Sequence, residues 1–329
     1  MAEELAYREA LCRALHEEMA RDESVFVIGE EVGVYGGAYA VTDGLLDEFG
    51  AGRVIDTPIS EAGIVGLSIG AAITGTRPVA ELMYVDFAGM CMDMIANQAA
   101  KINYMYGQQQ SVPMTLRTQG GTGRSAGAQH SQSLEAWFTH VPGLRVVMPA
   151  TPADGYGLLK SSIRNDDPVI FIEHKGLYTE EGEVPEDPYT TPLGEANVVR
   201  EGDDITLLTY SRMLYYSLEA AEELSDEGIE AEVIDLRSLN PLDEETMYES
   251  IQKTGRVAVV EEDTKTGGIG AELSARINKQ QFEVLDDPVE RIAALDIPIP
   301  AAPEQEQNSI PTPGRIVRTV KDHVKGASV

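Results

Sequence analysis

Short runs of consecutive apolar residues alternate along this chain with longer segments whose apolar positions recur every three or four residues. The first segment, Glu3–Met19, carries Leu5, Leu11, Leu15 and Met19 at helical spacing, and Asp22, Glu23 and Ser24 lead into a strand over Val25–Ile28. A glycine-rich turn (Gly29, Gly33, Gly36, Gly37) precedes a helix over Asp43–Phe49 and a strand over Arg53–Ile55. Strand signals return at Arg77–Ala80, Pro113–Arg117, Arg145–Met148 and Val169–Glu173. Between them the pattern predicts a long apolar helix over Phe87–Tyr106 and another over Ala153–Arg164. Alternation of this kind with short connections predicts a parallel sheet covered on both faces.

The stretch from Tyr178 to Gly194 mixes prolines with acids, has no periodicity and reads as a linker. A second run of elements follows. Strands are expected at Ile205–Tyr210, Ala231–Leu236, Arg256–Val260 and Arg291–Leu295, and helices at Met213–Glu227, Asp243–Lys253 and Ala271–Gln281. A short helix after a proline-rich turn closes the chain. The expectation is therefore an α/β protein of two three-layer domains, residues 1–180 and 195–329, joined by a linker over 181–194.

Composition narrows the function. The 329 residues are 43% hydrophobic, enough for packed cores despite the high charge. No uncharged apolar stretch reaches the ~18–20 residues of a membrane span. The amino-terminal residues are acidic where a secretory signal is basic, so the chain reads as cytoplasmic. Cys12 and Cys91 are too few for a disulfide framework and read as reduced structural thiols. With 25 basic residues against 55 acidic the net charge is −30, which excludes a basic footprint for nucleic acid. Acids spread along the whole chain, with 8 lysines against 17 arginines, match a surface suited to high salt.

Generic motifs carry little. Gly66-Leu67-Ser68-Ile69-Gly70 fits the nucleophile-elbow pattern, but the residues before it are helix-compatible and no strand runs into the first glycine. Thr266-Gly267-Gly268-Ile269-Gly270 lacks dinucleotide spacing and a P-loop lysine, and reads as a tight strand-to-helix turn. The five histidines form no zinc motif. Two stretches are sharper. In Asp56-Thr57-Pro58-Ile59-Ser60-Glu61-Ala62-Gly63 a carboxylate opens a nearly uncharged run that extends to Arg77, either as a helix-capping acid or as a desolvated group suited to sharing a proton. From Arg117 to Gln132 a long glycine-rich loop ends by presenting His130, equally open to a structural or a chemical role.

DTPISE, ELMYVDFAGMCMD, GGTGRSAGAQHSQSLEAWFTHVPGLRVV and the later GGIGAEL together resemble the β subunit of the thiamine-diphosphate-dependent first component of 2-oxo acid dehydrogenase complexes, whose members act on pyruvate, branched-chain 2-oxo acids or acetoin. The resemblance runs over essentially the whole chain. It implies a pyrimidine-binding domain followed by a transketolase-like C-terminal domain. It also implies an α₂β₂ assembly in which the α subunit supplies most of the diphosphate and Mg²⁺ site, since the G-D-G…N-N signature of that site is absent here. By motif position Glu61 would hydrogen-bond N1′ of the aminopyrimidine, favouring the 4′-imino tautomer that deprotonates the thiazolium. Met83 and Phe87 would pack on the ring, Glu30 would join a proton path, and His130 would serve the substrate or the lipoyl arm of the acyltransferase. A K⁺ would be held by oxygens of Met114, Ser162, Ile163, Asn165 and Asp167. Two other readings stand beside this one: a serine hydrolase using Ser68, and a scaffold subunit without catalysis.

Overall fold

The apolar runs form the centres of two sheets in the computed structural model, which describes residues 2–326. The chain divides into two compact units. The first takes the chain up to Gly120 and then Trp137–Leu193; the second takes Gly121–Ala136 and the chain from Gly194 onward.

In the first unit, β1 (Ala2–Ala6) leads into α1 (Tyr7–Arg21), and β2 (Val25–Gly29), α2 (Leu45–Phe49), β3 (Val54–Asp56), α3 (Glu61–Ile73) and β4 (Arg77–Leu82) follow. Then come a 3₁₀ turn over Val85–Met90, a π-helical segment over Asp93–Ala99, α4 (Ala100–Met105), β5 (Thr115–Gly120), α5 (Glu135–Thr139), which spans the unit boundary, β6 (Arg145–Val147), α6 (Pro152–Arg164), β7 (Val169–His174) and β8 (Glu181–Pro185). Its strands lie side by side in the order β6-β7-β5-β4-β2-β3, all parallel. Every residue of β5 and β7 is buried, as expected of strands covered on both faces.

Three predicted elements differ from those observed. The first helix starts at Tyr7, because Ala2–Ala6 pairs antiparallel with Glu181–Pro185. Those residues lie in the stretch that reads as an aperiodic linker; only Val184 of β8 is buried, so backbone pairing rather than patterning makes it a strand. The expected continuous helix over Phe87–Tyr106 is broken into the 3₁₀, π and α4 segments, with Gly89 near the break.

The second unit contains β9 (Asn197–Arg200), β10 (Ile205–Thr209), α7 (Met213–Asp226), β11 (Ala231–Asp235), β12 (Ser238–Asn240), α8 (Glu244–Thr254), β13 (Val257–Thr264), α9 (Ile269–Gln281), β14 (Glu290–Ala294), α10 (Pro303–Ser309) and α11 (Pro313–Gly326). Five strands align as β14-β13-β10-β11-β9, parallel except for the edge strand β9. The turn from β13 into α9 uses Gly267 at φ +77°, and a Cβ on Gly268 would meet the Thr264 carbonyl at 2.6 Å. Gly121–Ala136 joins this unit through hydrogen bonds from Thr122 N–H to Glu262 at 2.6 Å and from Ser125 N–H to Glu306 at 3.1 Å.

Candidate active site

The first sheet reverses its winding between β2 and β4. From β2 the chain moves outward to β3, then returns to place β4 on the opposite side of β2. The crevice beyond the carboxyl ends of strands at such a reversal is where open α/β sheets bind ligands. Gly29 ends β2 in register with Asp56 and Glu81. A Cβ there would lie 2.8 Å from the Glu81 carbonyl, so only glycine lets these strands approach. The Asp56 carboxylate accepts the N–H groups of Gly33 (2.6 Å) and Val34 (3.1 Å), which ties the glycine-rich turn to the end of β3.

Thr57–Ser60 carry the chain from β3 into α3, whose first residue is Glu61. A carboxylate in the first turn of a helix is favoured by the helix dipole. Glu61 is half-buried and forms no hydrogen bond or ion pair among the described residues. Its charge acts on two neighbours. Glu30, next after β2, has its carboxyl pushed up by burial and by the charges of Glu61 and Glu31. Burial, together with Glu61, pushes the Cys91 thiol up to about 12. Two half-buried acids thus share one sheet edge with no cation assigned to either.

Met83 and Tyr84 leave the end of β4 toward the 3₁₀ turn that contains Phe87, and α3 packs against that turn. Met83 and Phe87 are both half-buried. The fold therefore brings Glu30, Glu61, Met83 and Phe87 to one end of one sheet. His130 lies in the second unit, half-buried, with its N–H on the Gly127 carbonyl at 3.2 Å.

The oxygens expected to hold K⁺ lie at the end of α6 and the starts of β5 and β7. Arg77 Nη1 donates to the carbonyls of Ile163 (3.1 Å) and Asn165 (2.9 Å). The Met114 carbonyl accepts from Val169 N–H (2.9 Å) and the Ser162 carbonyl from Asn165 N–H (3.2 Å). Asp167 is paired with Arg145 at 2.7 Å. Two guanidinium groups thus already bond oxygens of three of these residues, Ile163, Asn165 and Asp167.

Ser68 is buried inside α3, and its hydroxyl donates to the Ile64 carbonyl at 2.8 Å. A helix-interior serine committed to its own backbone lacks the exposed turn a nucleophile needs. That corrects the hydrolase reading.

Sequence patterning missed two groups. Arg117 in β5 is wholly buried; it meets Glu173 of β7 through Nε (2.7 Å) and Nη2 (2.9 Å), and Glu81 of β4 through Nη1 (2.8 Å). The Tyr178 hydroxyl adds a hydrogen bond to Glu173 at 2.6 Å. Burial, with the neighbouring Glu173 charge, pushes the Glu81 carboxyl up against the opposing pull of the Arg117 guanidinium. In the second unit, Glu135, Glu261 and Asp263 form a buried acidic group. Tyr210 Oη donates to Glu135 at 2.9 Å. Burial and Glu261 hold Asp263 up at about 7, and burial and Asp263 hold Glu135 well above the carboxylate range. The only available signal was a charged residue inside an apolar strand, as in RPVAELM, MTLRTQG and VAVVEED.

Comparison with known proteins agrees with this fold. Residues 3–181 match the model "Transketolase, pyrimidine binding domain" and residues 194–316 match "Transketolase, C-terminal domain". A solved "split gene transketolase, inactive beta4 tetramer" shares the fold with TM-score 0.80 at 24% identity, over 98% of each chain. The class is thus a transketolase-type pyrimidine domain followed by its C-terminal partner domain. Among curated relatives, a mitochondrial pyruvate dehydrogenase E1 component subunit beta-2 of Oryza sativa subsp. japonica is 49% identical, covering 97% of this chain and 86% of its own. The acetoin:2,6-dichlorophenolindophenol oxidoreductase subunit beta of Bacillus subtilis is 46% identical, covering 96% of each. The chain belongs to the transketolase-type family of dehydrogenase β subunits that these proteins represent.

Proposed function

We propose that this chain is the β half of a thiamine-diphosphate-dependent first component that decarboxylates a 2-oxo acid such as pyruvate, or cleaves acetoin, and delivers the acyl group to the lipoyl arm of an acyltransferase. The observation that carries the reading is Glu61: a half-buried carboxylate without hydrogen bond or ion pair among the described residues, opening a helix at the sheet's winding reversal. A donor from outside the chain would satisfy it. The protonated N1′ of an aminopyrimidine is such a donor.

Thiamine diphosphate, when bound, supplies an electron sink for the breaking C–C bond. This chain's residues do the rest of their half. Glu61 holds the proton at N1′, Met83 and Phe87 provide the apolar surface for the ring, and Glu30, with its raised proton affinity, is fitted to exchange a proton with Glu61. His130 orients or protonates the substrate and assists transfer to the lipoyl sulfur. The diphosphate and Mg²⁺ fall mainly to an α subunit in an α₂β₂ assembly. In support, Ile59, Leu67, Met90, Tyr104 and Tyr106 are exposed on or beside α3, the 3₁₀ turn and α4, a face that suits a partner chain. A K⁺ would take the remaining lone pairs of Met114, Ser162, Ile163 and Asn165 beside Asp167, and brace the end of α6. The cytoplasm is the proposed setting, in keeping with two cysteines that remain free.

Co-expression with an α subunit bearing the diphosphate signature tests the assembly. The expected result is a stoichiometric complex that binds thiamine diphosphate, with neither chain binding it alone. A β chain that binds the cofactor unaided as a homo-oligomer would overturn the division of the site.

A further inference from the structure

Tyr84 connects β4 to the turn that carries Phe87, and it does so at φ +70°. A non-glycine residue in that region persists only where its surroundings enforce it. Three side chains do so here. Gln119 Oε1 accepts the Tyr84 N–H at 3.1 Å, Lys175 Nζ lies over the Tyr84 ring at 5.2 Å, and Tyr39 Oη donates to the Tyr84 hydroxyl at 3.3 Å. The Tyr84 carbonyl in turn accepts the Phe87 N–H at 3.1 Å. Holding Tyr84 therefore fixes both Met83, the residue before it, and Phe87, the residue its carbonyl receives.

Gln119 is itself held from the other side. Its Nε2 donates to Glu81 Oε1 at 3.4 Å, while Glu81 Oε2 takes Arg117 Nη1 at 2.8 Å. A carboxylate accepts and a backbone N–H donates, so only one orientation of the amide satisfies both neighbours. Glu81 is locked by Arg117, and Arg117 by the bidentate bond to Glu173 across β4, β5 and β7. Gln119 is buried, so neither bond is open to bulk solvent.

We propose that Gln119 is a positioning residue for cofactor binding: it transmits the fixed geometry of the Arg117–Glu81 pair to the Tyr84 turn, and so sets the ring-packing surface of Met83 and Phe87. The inference rests on the thiamine-diphosphate reading above. It concerns a residue that touches neither cofactor nor substrate in that reading.

The test uses the complex with the α subunit and titrates thiamine diphosphate calorimetrically against wild type, Gln119→Leu and Gln119→Glu from pH 5.5 to 8 (roughly the range over which a carboxyl facing another acid titrates). Gln119→Leu leaves the Tyr84 N–H and Glu81 Oε1 without their partner, and the dissociation constant is expected to rise about tenfold or more, with kcat at saturating cofactor changed less. Gln119→Glu is the conservative rescue. Protonated, its carboxyl accepts from Tyr84 and donates to Glu81 as the amide does; ionised, it faces Glu81 with like charge. Its affinity should match wild type at the acid end relative to a wild-type control at the same pH, and fall about tenfold toward pH 8. A merely structural role would not produce that profile. Wild-type affinity in Gln119→Leu, or a Gln119→Glu profile parallel to wild type, would overturn the proposal; should the leucine variant not fold, the glutamate profile alone decides. A wild-type complex that fails to bind the cofactor would instead overturn the functional reading on which the proposal stands.

Discussion

Each unit buries a group of carboxylates in its core, and the two groups are treated differently. Around Arg117, two acids and a tyrosine hydroxyl surround one guanidinium, with every Arg117 nitrogen engaged. Around Glu135, three acids gather where Arg291 reaches only Glu261, at 3.2 Å. One oxygen each of Glu135 and Asp263 is buried with no hydrogen bond among the described residues. In the first group the charge is met by a counter-charge, and the acids act as fixed braces between strands. In the second the one guanidinium bonds Glu261 alone, and protonation of Asp263 and Glu135 meets the rest. Burial is nearly complete in both groups, so what separates them is how many of their oxygens a guanidinium reaches.

Removing the central cation is the severest way to break this contrast. Arg117→Met should leave Glu81 and Glu173 as uncompensated buried acids and cost about 3–5 kcal/mol, read from denaturant unfolding of the complex. A loss below about 1 kcal/mol would mean that Arg117 is no brace. The second cluster predicts a pH dependence. Asp263, held at about 7 against an ordinary 3.8, keeps a proton that the unfolded chain gives up. The stability contributed by the neutral form is therefore complete below about pH 4 and lost as pH rises toward about 7, at up to ~1.4 kcal/mol per pH unit. Asp263→Asn should flatten that slope; an unchanged slope would assign the proton elsewhere. A smaller effect sharpens the same comparison. Tyr210→Phe removes the hydroxyl on Glu135 and should cost about 1 kcal/mol, read from denaturant unfolding.

Much of the scaffold was legible because burial on both faces writes itself as apolar runs. Val169–Glu173 and Ile205–Tyr210 match β7 and β10 to within a residue. Edge strands were not legible. Ala2–Ala6, Glu181–Pro185 and Asn197–Arg200 bury at most one residue each, so their sequences carry no alternation of buried and exposed positions, and their pairing depends on neighbours far along the chain. Glu61 stood out as a lone charge at the mouth of a small-residue helix. Arg117, Glu81 and Glu173 did not form a visible group, because only the parallel register that sets Glu81 opposite Arg117 joins them. Gln119 looked like one more polar residue in a glycine-rich loop, although it is the last but one residue of a buried strand.

The central claim is that Glu61 serves the cofactor. Glu61→Gln in the co-expressed complex tests it most directly, with thiamine diphosphate binding and turnover measured on pyruvate or acetoin with a dichlorophenolindophenol dye as acceptor. The account predicts an assembled complex that still binds cofactor and loses turnover by at least about 10²-fold, the scale of a missing general acid–base group. Turnover at the wild-type rate would contradict it.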